Sequence, residues 1–328
     1  MWRGCRGANA IMTGLREALR AGRFVVTAEI EPPRGADRDA IGRSARLLRG
    51  WVDAANITDN PSAHVRISSM AGSVLAMNAG IEPVMQLTCR DRNRIGLQSD
   101  LLGAAALGIP NVLLLTGDHP CFGDQPDAKA VFDLDGVQLV WAARTLREHG
   151  RLLSGRVVKP RPDWLIGAVE NPFAPPTAFR AARLGKKVAA GAEFVQTQFV
   201  FDLPMFERWM ARVRDLGLDT RCAVLAGVGP IRSLRALEHL RHRIPGVHVP
   251  EEVDRRLRGV PAERVASEGM DICVETVRRL REIPGVAGVH VMAFGYERGV
   301  PEILRRAGLG PRLIGATTTD GARSAGRR

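Results

Sequence analysis

Tyrosine occurs once in this chain of 328 residues, as Tyr296, and lysine only at Lys129, Lys159, Lys186 and Lys187. The net charge of +12 therefore comes almost wholly from arginine, scattered as on a solvated surface. No basic stripe is interleaved with aromatics, so no nucleic-acid partner is expected. The five cysteines lie far apart with no CxxC pair, which excludes a disulfide framework and fits a reducing, cytoplasmic compartment. There is no HExxH and no histidine cluster. His119 and Cys121 flank Pro120 but lack further ligands at the right spacing, so no metal is expected. No apolar run has the length of a bilayer span, and "MWRGCRGANAIM" lacks the apolar core of a leader, so no membrane partner is expected either. A glycine-rich dinucleotide fingerprint is also missing after the first strand-like run, where "EIEPPRGAD" stands.

What remains is an ordinary globular mixture, 45% hydrophobic and 25% charged, long enough to bury a full core without staples. Met12 opens "MTGLREALRAGRF", which reads as a natural start, so residues 1–11 are expected to be a non-native or disordered extension. Residues 12–312 read as a single domain. The tail from 313 to 328, "LIGATTTDGARSAGRR", has no apolar periodicity and is expected to be disordered.

Eight strand-like runs alternate with amphipathic stretches: residues 24–30, 52–58, 82–88, 111–116, 164–169, 193–199, 222–228 and 288–294. Between the first two, Ile41, Ala45, Leu47 and Leu48 form one expected helical stripe; after the third, Ile95, Leu97, Leu101 and Leu102 form another. The segment 230–283 is too long for one helix and predicts two or three, broken around "IPGVHVP". Eight such units predict an α/β fold, a parallel (β/α)8 TIM barrel, with a doubly wound open sheet as the alternative.

In such a barrel the C-terminal strand ends converge on one mouth. Here those ends are polar: Glu29 and Glu31, then Asn56, Thr58 and Asp59, then Gln86 and Thr88, then Thr116, Gly117 and Asp118. Asn171 follows strand five, Gln196 and Gln198 lie on strand six, and Gly295 and Tyr296 follow strand eight. The lone carboxylate in "LLLTGDHP" is thus one member of a polar ring.

Several motifs, in order and at sensible spacing, resemble the methylenetetrahydrofolate reductase family: "TAEIEPPRG", "NITDNPSA", "EPVMQLTCRDRNR", "LGIPNVLLLTGDHP", "GKKVAAGAEFVQTQFVFD" and "GVAGVHVMAFGYE". The resemblance runs from about residue 20 to 310. It implies a flavin-bearing barrel, with FAD or else FMN, that takes electrons from NADH or NADPH. It would reduce 5,10-methylenetetrahydrofolate to 5-methyltetrahydrofolate in one-carbon metabolism and methionine biosynthesis. Glu29 matches the family's general acid, which protonates a departing nitrogen of the folate. Asp118 matches the aspartate that serves both flavin and pterin, Gln198 the pterin-reading glutamine, and Lys187 a flavin-binding lysine. Thr58 and Thr88 match positions lining the flavin.

Some positions depart from the family's pattern. Thr116 replaces an arginine and Asn171 a tyrosine at flavin-contact positions, with Gly117 kept between Thr116 and Asp118. Glu31 stands where an aromatic is usual, on the same strand face as Glu29, and Leu234 where an aromatic covers the folate's benzoyl ring. Arg90 or Arg92 is expected to supply the cation for an anionic ligand group that an uncharged Thr116 does not provide. The alternative reading is a folate- or flavin-binding subunit that needs a partner protein for turnover; a homo-oligomer or a partner subunit is the expected assembly.

Overall fold

The computed structural model describes residues 14–244 and 246–312; the expected extension at 1–11 and tail at 313–328 lie outside them. Eight parallel strands close into a barrel in sequence order. They are β1 (Val25–Ile30), β2 (Ala54–Ile57), β3 (Pro83–Thr88), β4 (Asn111–Leu115), β5 (Leu165–Glu170), β6 (Phe194–Phe199), β7 (Ala223–Val228) and β8 (Val286–Val291). A short helix, α1 (Leu15–Arg20), precedes the first strand. Then α2 (Arg38–Leu48), α3 (Ser69–Asn78), α4 (Arg94–Ala106), α5 (Gly136–His149), α6 (Arg180–Ala190) and α7 (Leu203–Asp215) follow β1 to β6 in turn. Three helices follow β7, namely α8 (Leu234–Arg243), α9 (Glu251–Arg258) and α10 (Val265–Leu280), and α11 (Val300–Arg306) follows β8. The (β/α)8 expectation holds, and the predicted break at "IPGVHVP" separates α8 from α9.

Side-chain alternation with period two builds the interior in layers. At the bottom, Val25, Ala54, Val84, Leu113, Leu165, Phe194 and Leu225 pack together, one residue from each of seven strands. Burying a ring such as Phe194 contributes roughly 1.5–3 kcal/mol. The space for it exists because Gly167 carries no side chain: a Cβ there would lie 2.2 Å from the ring. Leu15 and Ala18 of α1 close the barrel from below. That helix is pinned by Glu82, whose Oε1 accepts from the Leu15 amide at 2.9 Å and from Asn111 Nδ2 at 2.7 Å. Burial pushes the Glu82 carboxyl above its ordinary range, against those hydrogen bonds.

The helices carry the caps their sequences promise. Asp135 and Gln138 form a reciprocal capping box at the start of α5, which ends at Gly150 with φ 58°. Two stripe assignments need correction. Leu47 is 45% exposed and Ile95 75% exposed. At about 100° per residue, Ile95 lies nearly opposite Leu97, so both cannot face the barrel. Strand β8 also ends at Val291, three residues before the expected limit, and Phe294 beyond it takes φ 48°. None of the described helices is long and apolar enough to cross a membrane.

Candidate active site

The next layers up the barrel are polar. Above Val25 on β1 come Thr27 and then Glu29; above Ala54 on β2 comes Asn56 and then, just past the strand, Thr58. Asn56 and Gln196 exchange hydrogen bonds across the barrel, at 2.6 and 3.0 Å. Gln196 Nε2 also donates to the Thr27 hydroxyl at 3.0 Å. Thr27 in turn meets His290 Nδ1 at 2.9 Å, and His290 Nε2 lies 3.6 Å from Glu29 Oε1. Asn56, Gln196, Thr27 and His290 are all buried, so this chain of contacts is a rigid floor.

On that floor lies a cavity of about 430 Å³, walled by Glu29, Thr58, Gln86, Asp118, Lys187 and Gln198 among others. A second cavity of about 570 Å³ adjoins it on the β1 and β8 side and shares Glu29, Thr58, Asp118, Ile244 and Phe294 with it. Thr88, Thr116, Gly117 and Asn171 also reach the first cavity, so the residues read as acid, flavin and pterin contacts converge on one mouth, whereas Arg92 does not reach it.

Their free valences differ. Thr58 Oγ1 is buried with no hydrogen-bond partner among the described residues. Gln198 lines the cavity, and its Oε1 accepts from the Phe199 amide at 3.0 Å, which leaves its amide nitrogen without a hydrogen bond to a described residue. The Asp118 side chain is exposed and accepts no hydrogen bond from a described residue, while its main-chain oxygen accepts from Arg90. By contrast, Thr88 Oγ1 and N are both spent on Asp59 Oδ2 at 2.9 Å. Thr116 Oγ1 accepts from the Gly136 amide at the start of α5, at 3.3 Å. Asn171 donates to the Gly246 carbonyl at 2.9 Å and accepts from the Phe173 amide at 3.0 Å. Gly117 has φ 90°, a turn that only glycine takes without strain.

Lys187 is not a surface lysine. It is 6% exposed, and its Nζ donates to Glu170 Oε2 at 2.9 Å and to the Val169 carbonyl. Burial lowers its pKa and Glu170 works against that fall. Lys186, next in sequence, lies outside over the Phe179 ring, 5.2 Å from its centre. On the same wall of the cavity, α6 also presents Arg180 and Arg183. Arg180 is tied to the carbonyls of Ala174 and Pro175, whereas Arg183 has no hydrogen bond or ion pair to a described residue.

The arginines after β3 have a different task from the one expected. Arg90 is 2% exposed and grips Asp91 at 2.7 and 2.8 Å, with Asn60 and Asp118 carbonyls as further acceptors. Arg92 is bound by Asp59 at 2.8 Å and by Asp100 at 2.7 Å. Arg94 pairs with Asp133 at 2.9 Å, and the guanidinium holds the Asp133 carboxyl down to about 2. All three are saturated by carboxylates, so neither Arg90 nor Arg92 is the free anion contact. Arg90 instead locks together the loops that follow β2 and β4.

Two more departures are explained by tertiary packing. Glu31 forms an ion pair with Arg66, which offsets its charge beside Glu29. Leu234 packs into the cluster under α8 and reaches neither cavity. Among the aromatics at the mouth, Phe294 is 56% exposed, with its ring 5.4 Å from that of Phe199.

Sequence reasoning passed over His290, Glu170, Arg180 and Arg183. His290 had a signal: it alternates with Val289 and Val291, which pack outward against the helices, so it had to point into the barrel. The α6 arginines had none, because an arginine on a helix is usually solvated.

The family model for methylenetetrahydrofolate reductase matches residues 14–308. The 5,10-methylenetetrahydrofolate reductase of Pectobacterium carotovorum is 26% identical over 295 residues, covering 84% of this chain and 89% of that protein. The probable methylenetetrahydrofolate reductase (NADPH) of Caenorhabditis elegans is 26% identical over 263 residues, 78% of this chain but 36% of its own. This chain thus spans between about a third and a half of the eukaryotic relatives it matches. Among solved structures, an uncharacterized protein from Clostridium thermocellum that binds two copies of 5-methyl-5,6,7,8-tetrahydrofolic acid shares the fold. Its TM-score is 0.60 at 13% identity, over 90% of this chain and 96% of that one. A family match over residues 14–308, nearly the whole barrel, places the chain in the methylenetetrahydrofolate reductase family.

Proposed function

We propose that this chain is a flavin-dependent reductase that converts 5,10-methylenetetrahydrofolate to 5-methyltetrahydrofolate, with NADH or NADPH as donor. The observation that carries the reading is the position of Glu29. It stands between two joined cavities, with the unengaged Asp118 carboxylate and the unpartnered Thr58 hydroxyl on the same shared wall. Relatives with both NADPH and NADH in their names support either donor.

The residues fit a flavin in part. The orphaned Thr58 Oγ1 is a buried polar atom that a ligand at the wall would satisfy. Arg183, beside Arg180 and Lys187, offers a cation to a flavin phosphate. Asn171, with both ends of its amide engaged, is no ribose contact as it stands. Ring and first phosphate are thus provided for; the adenosine half that distinguishes the expected FAD from FMN finds less. A flavin held here would accept a hydride from the nicotinamide and deliver it to the folate.

The chain's own residues do the rest. Reduction needs the folate's bridging ring opened, and the departing N10 must take a proton. Glu29 is the carboxyl at the junction, and general acid help of this kind is worth on the order of a hundred- to ten-thousandfold. Asp118 and the Gln198 amide offer an acceptor and a donor to the pterin edge. The purified protein should be yellow, should bleach with NADH or NADPH, and should regain colour on adding methylenetetrahydrofolate. A colourless protein without affinity for added flavin would overturn the reading. Folate binding without turnover would instead point to a subunit that needs a partner.

A further inference from the structure

The wall that α6 presents to the inner cavity carries more positive charge than its described neighbours neutralise. Arg180, Arg183 and Lys187 all reach that cavity, and among the described residues Glu170 is the carboxylate paired with them. Lys187 Nζ lies 2.9 Å from it and Arg180 Nη1 3.9 Å, with the two cationic side chains 7% and 15% exposed. Arg183 has no hydrogen bond or ion pair to a described residue. Three cations thus share one carboxylate in a largely enclosed place. Two positive charges are left for a ligand to match, since unpaired charge is costly away from water.

The rim next to this wall is already occupied by the chain itself. The segment between α8 and α9 lies over the turn that follows β5, where the Gly246 carbonyl accepts from Asn171 Nδ2 at 2.9 Å. The approach is so close that a Cβ on Gly246 would lie 2.1 Å from that nitrogen. The His248 ring stacks on Phe173 with centres 6.4 Å apart, and its Nε2 lies 3.3 Å from Asp202 Oδ2. Ile244, at the start of the segment, lines the cavity. At the start of α5, the Gly136 amide is taken by the Thr116 hydroxyl at 3.3 Å.

We infer that the flavin of this chain is FMN and not FAD, with its terminal phosphate against Arg183 in the field of Arg180 and Lys187. The inference rests on the flavin reading above and names the cofactor of that site. The free end of FMN is a phosphate monoester with about −1.5 to −2 charge at neutral pH, whereas in FAD the same phosphate is bridged to a second one and keeps a single charge. A monoester therefore matches the surplus at this wall where a bridged phosphate matches half of it. Adenosine recovers nothing in exchange. Asn171 and Arg180, the polar side chains of the adjoining turn, are engaged by Gly246, Phe173, Ala174 and Pro175. Arg183 alone has its guanidinium free for the paired hydrogen bonds that a phosphate accepts.

The test is a calorimetric titration of the flavin-free protein with riboflavin, FMN and FAD, together with mass identification of any flavin released on denaturation. The proteins are the parent, Arg183→Gln and Arg221→Ala. Arg221 is an exposed arginine just before β7, at the opposite end of the barrel, and controls for the removed charge. We expect the parent to bind FMN roughly tenfold or more tighter than riboflavin, as one charge-assisted contact gives, and to bind FAD more weakly than FMN. Any released flavin should be FMN. In Arg183→Gln the gap between FMN and riboflavin should largely close with riboflavin affinity unchanged, while Arg221→Ala keeps the parental ratios. A parent that binds FAD as tightly as FMN, or releases FAD, overturns this inference and leaves the flavin reading standing. An Arg183→Gln protein that keeps the parental gap does the same. A parent that binds none of the three flavins overturns both.

Discussion

His290 holds its Nε2 3.6 Å from Oε1 of Glu29, while its Nδ1 rests 2.9 Å from the Thr27 hydroxyl. Thr27 already accepts from Gln196 Nε2, so its own proton is free to go to His290 Nδ1. A neutral imidazole then carries its proton on Nε2, facing Glu29. The orientation of the candidate acid is thus set two residues deeper in the barrel, by an amide pair between β2 and β6.

Replacing the imidazole tests that chain. His290→Leu should lower kcat for folate reduction by up to about a hundredfold, the size expected when a reacting group loses its alignment. KM for the folate should move much less, and Thr27→Val should show a smaller loss of the same kind. An unchanged kcat in His290→Leu would show that Glu29 needs no such support.

For Glu29→Gln, shape is kept and the proton is lost. Folate reduction should fall on the order of a hundred- to ten-thousandfold, while flavin content and flavin reduction by the nicotinamide stay near the parental level. A variant that reduces methylenetetrahydrofolate at the parental rate would remove Glu29 from the role of acid.

Thr58→Val probes the orphaned hydroxyl by two readouts that move in opposite directions. A buried polar group without a partner costs about 1–3 kcal/mol. The flavin-free variant should therefore melt higher than the flavin-free parent, yet retain flavin more weakly. Should flavin retention be unaffected, the hydroxyl faces no ligand.

The Lys187–Glu170 pair is buried, so breaking it from one side should be costly. Lys187→Met should destabilise the protein by about 3–5 kcal/mol in denaturant titrations, because Glu170 is left enclosed with Arg180, 3.9 Å away, as its remaining cation. Adding Glu170→Gln should recover much of that loss without restoring flavin affinity. If the single variant is as stable as the parent, water reaches Glu170 and the pair is not closed off.

Glu82 gives a pH signature far from the mouth. Burial raises its folded-state pKa, so its contribution to stability is complete below the unfolded value and is lost as pH rises through the raised one. Glu82→Gln keeps an oxygen for the Leu15 amide and Asn111. It should therefore gain in melting temperature relative to the parent between about pH 4 and about pH 7. A difference that is flat across that range would mean that the carboxyl is not penalised by burial.

The sequence alone determined the barrel and the end of it that matters. Strand periodicity and glycine stops depend on neighbours in the chain, and so "NVLLLT", "EFVQTQF" and Gly150 could be read locally. The same logic placed Glu29, Thr58, Asp118 and Gln198 at one mouth, since a parallel barrel brings all strand ends together whatever lies between them. Only the tertiary structure decided which of those groups remain free. Thr88, Thr116 and Asn171 stand where expected but spend their hydrogen bonds on Asp59, Gly136, Gly246 and Phe173, from other turns of the chain. Arg90 and Arg92 were equally plausible as ligand contacts until Asp91, Asp59 and Asp100 closed on them. Arg34 and Arg243, unremarkable in sequence, have no hydrogen bond or ion pair to a described residue and line the outer cavity. A charge or hydroxyl has one set of valences, and the residues that fill them come from strands and loops whose distance in sequence carries no trace of the contact.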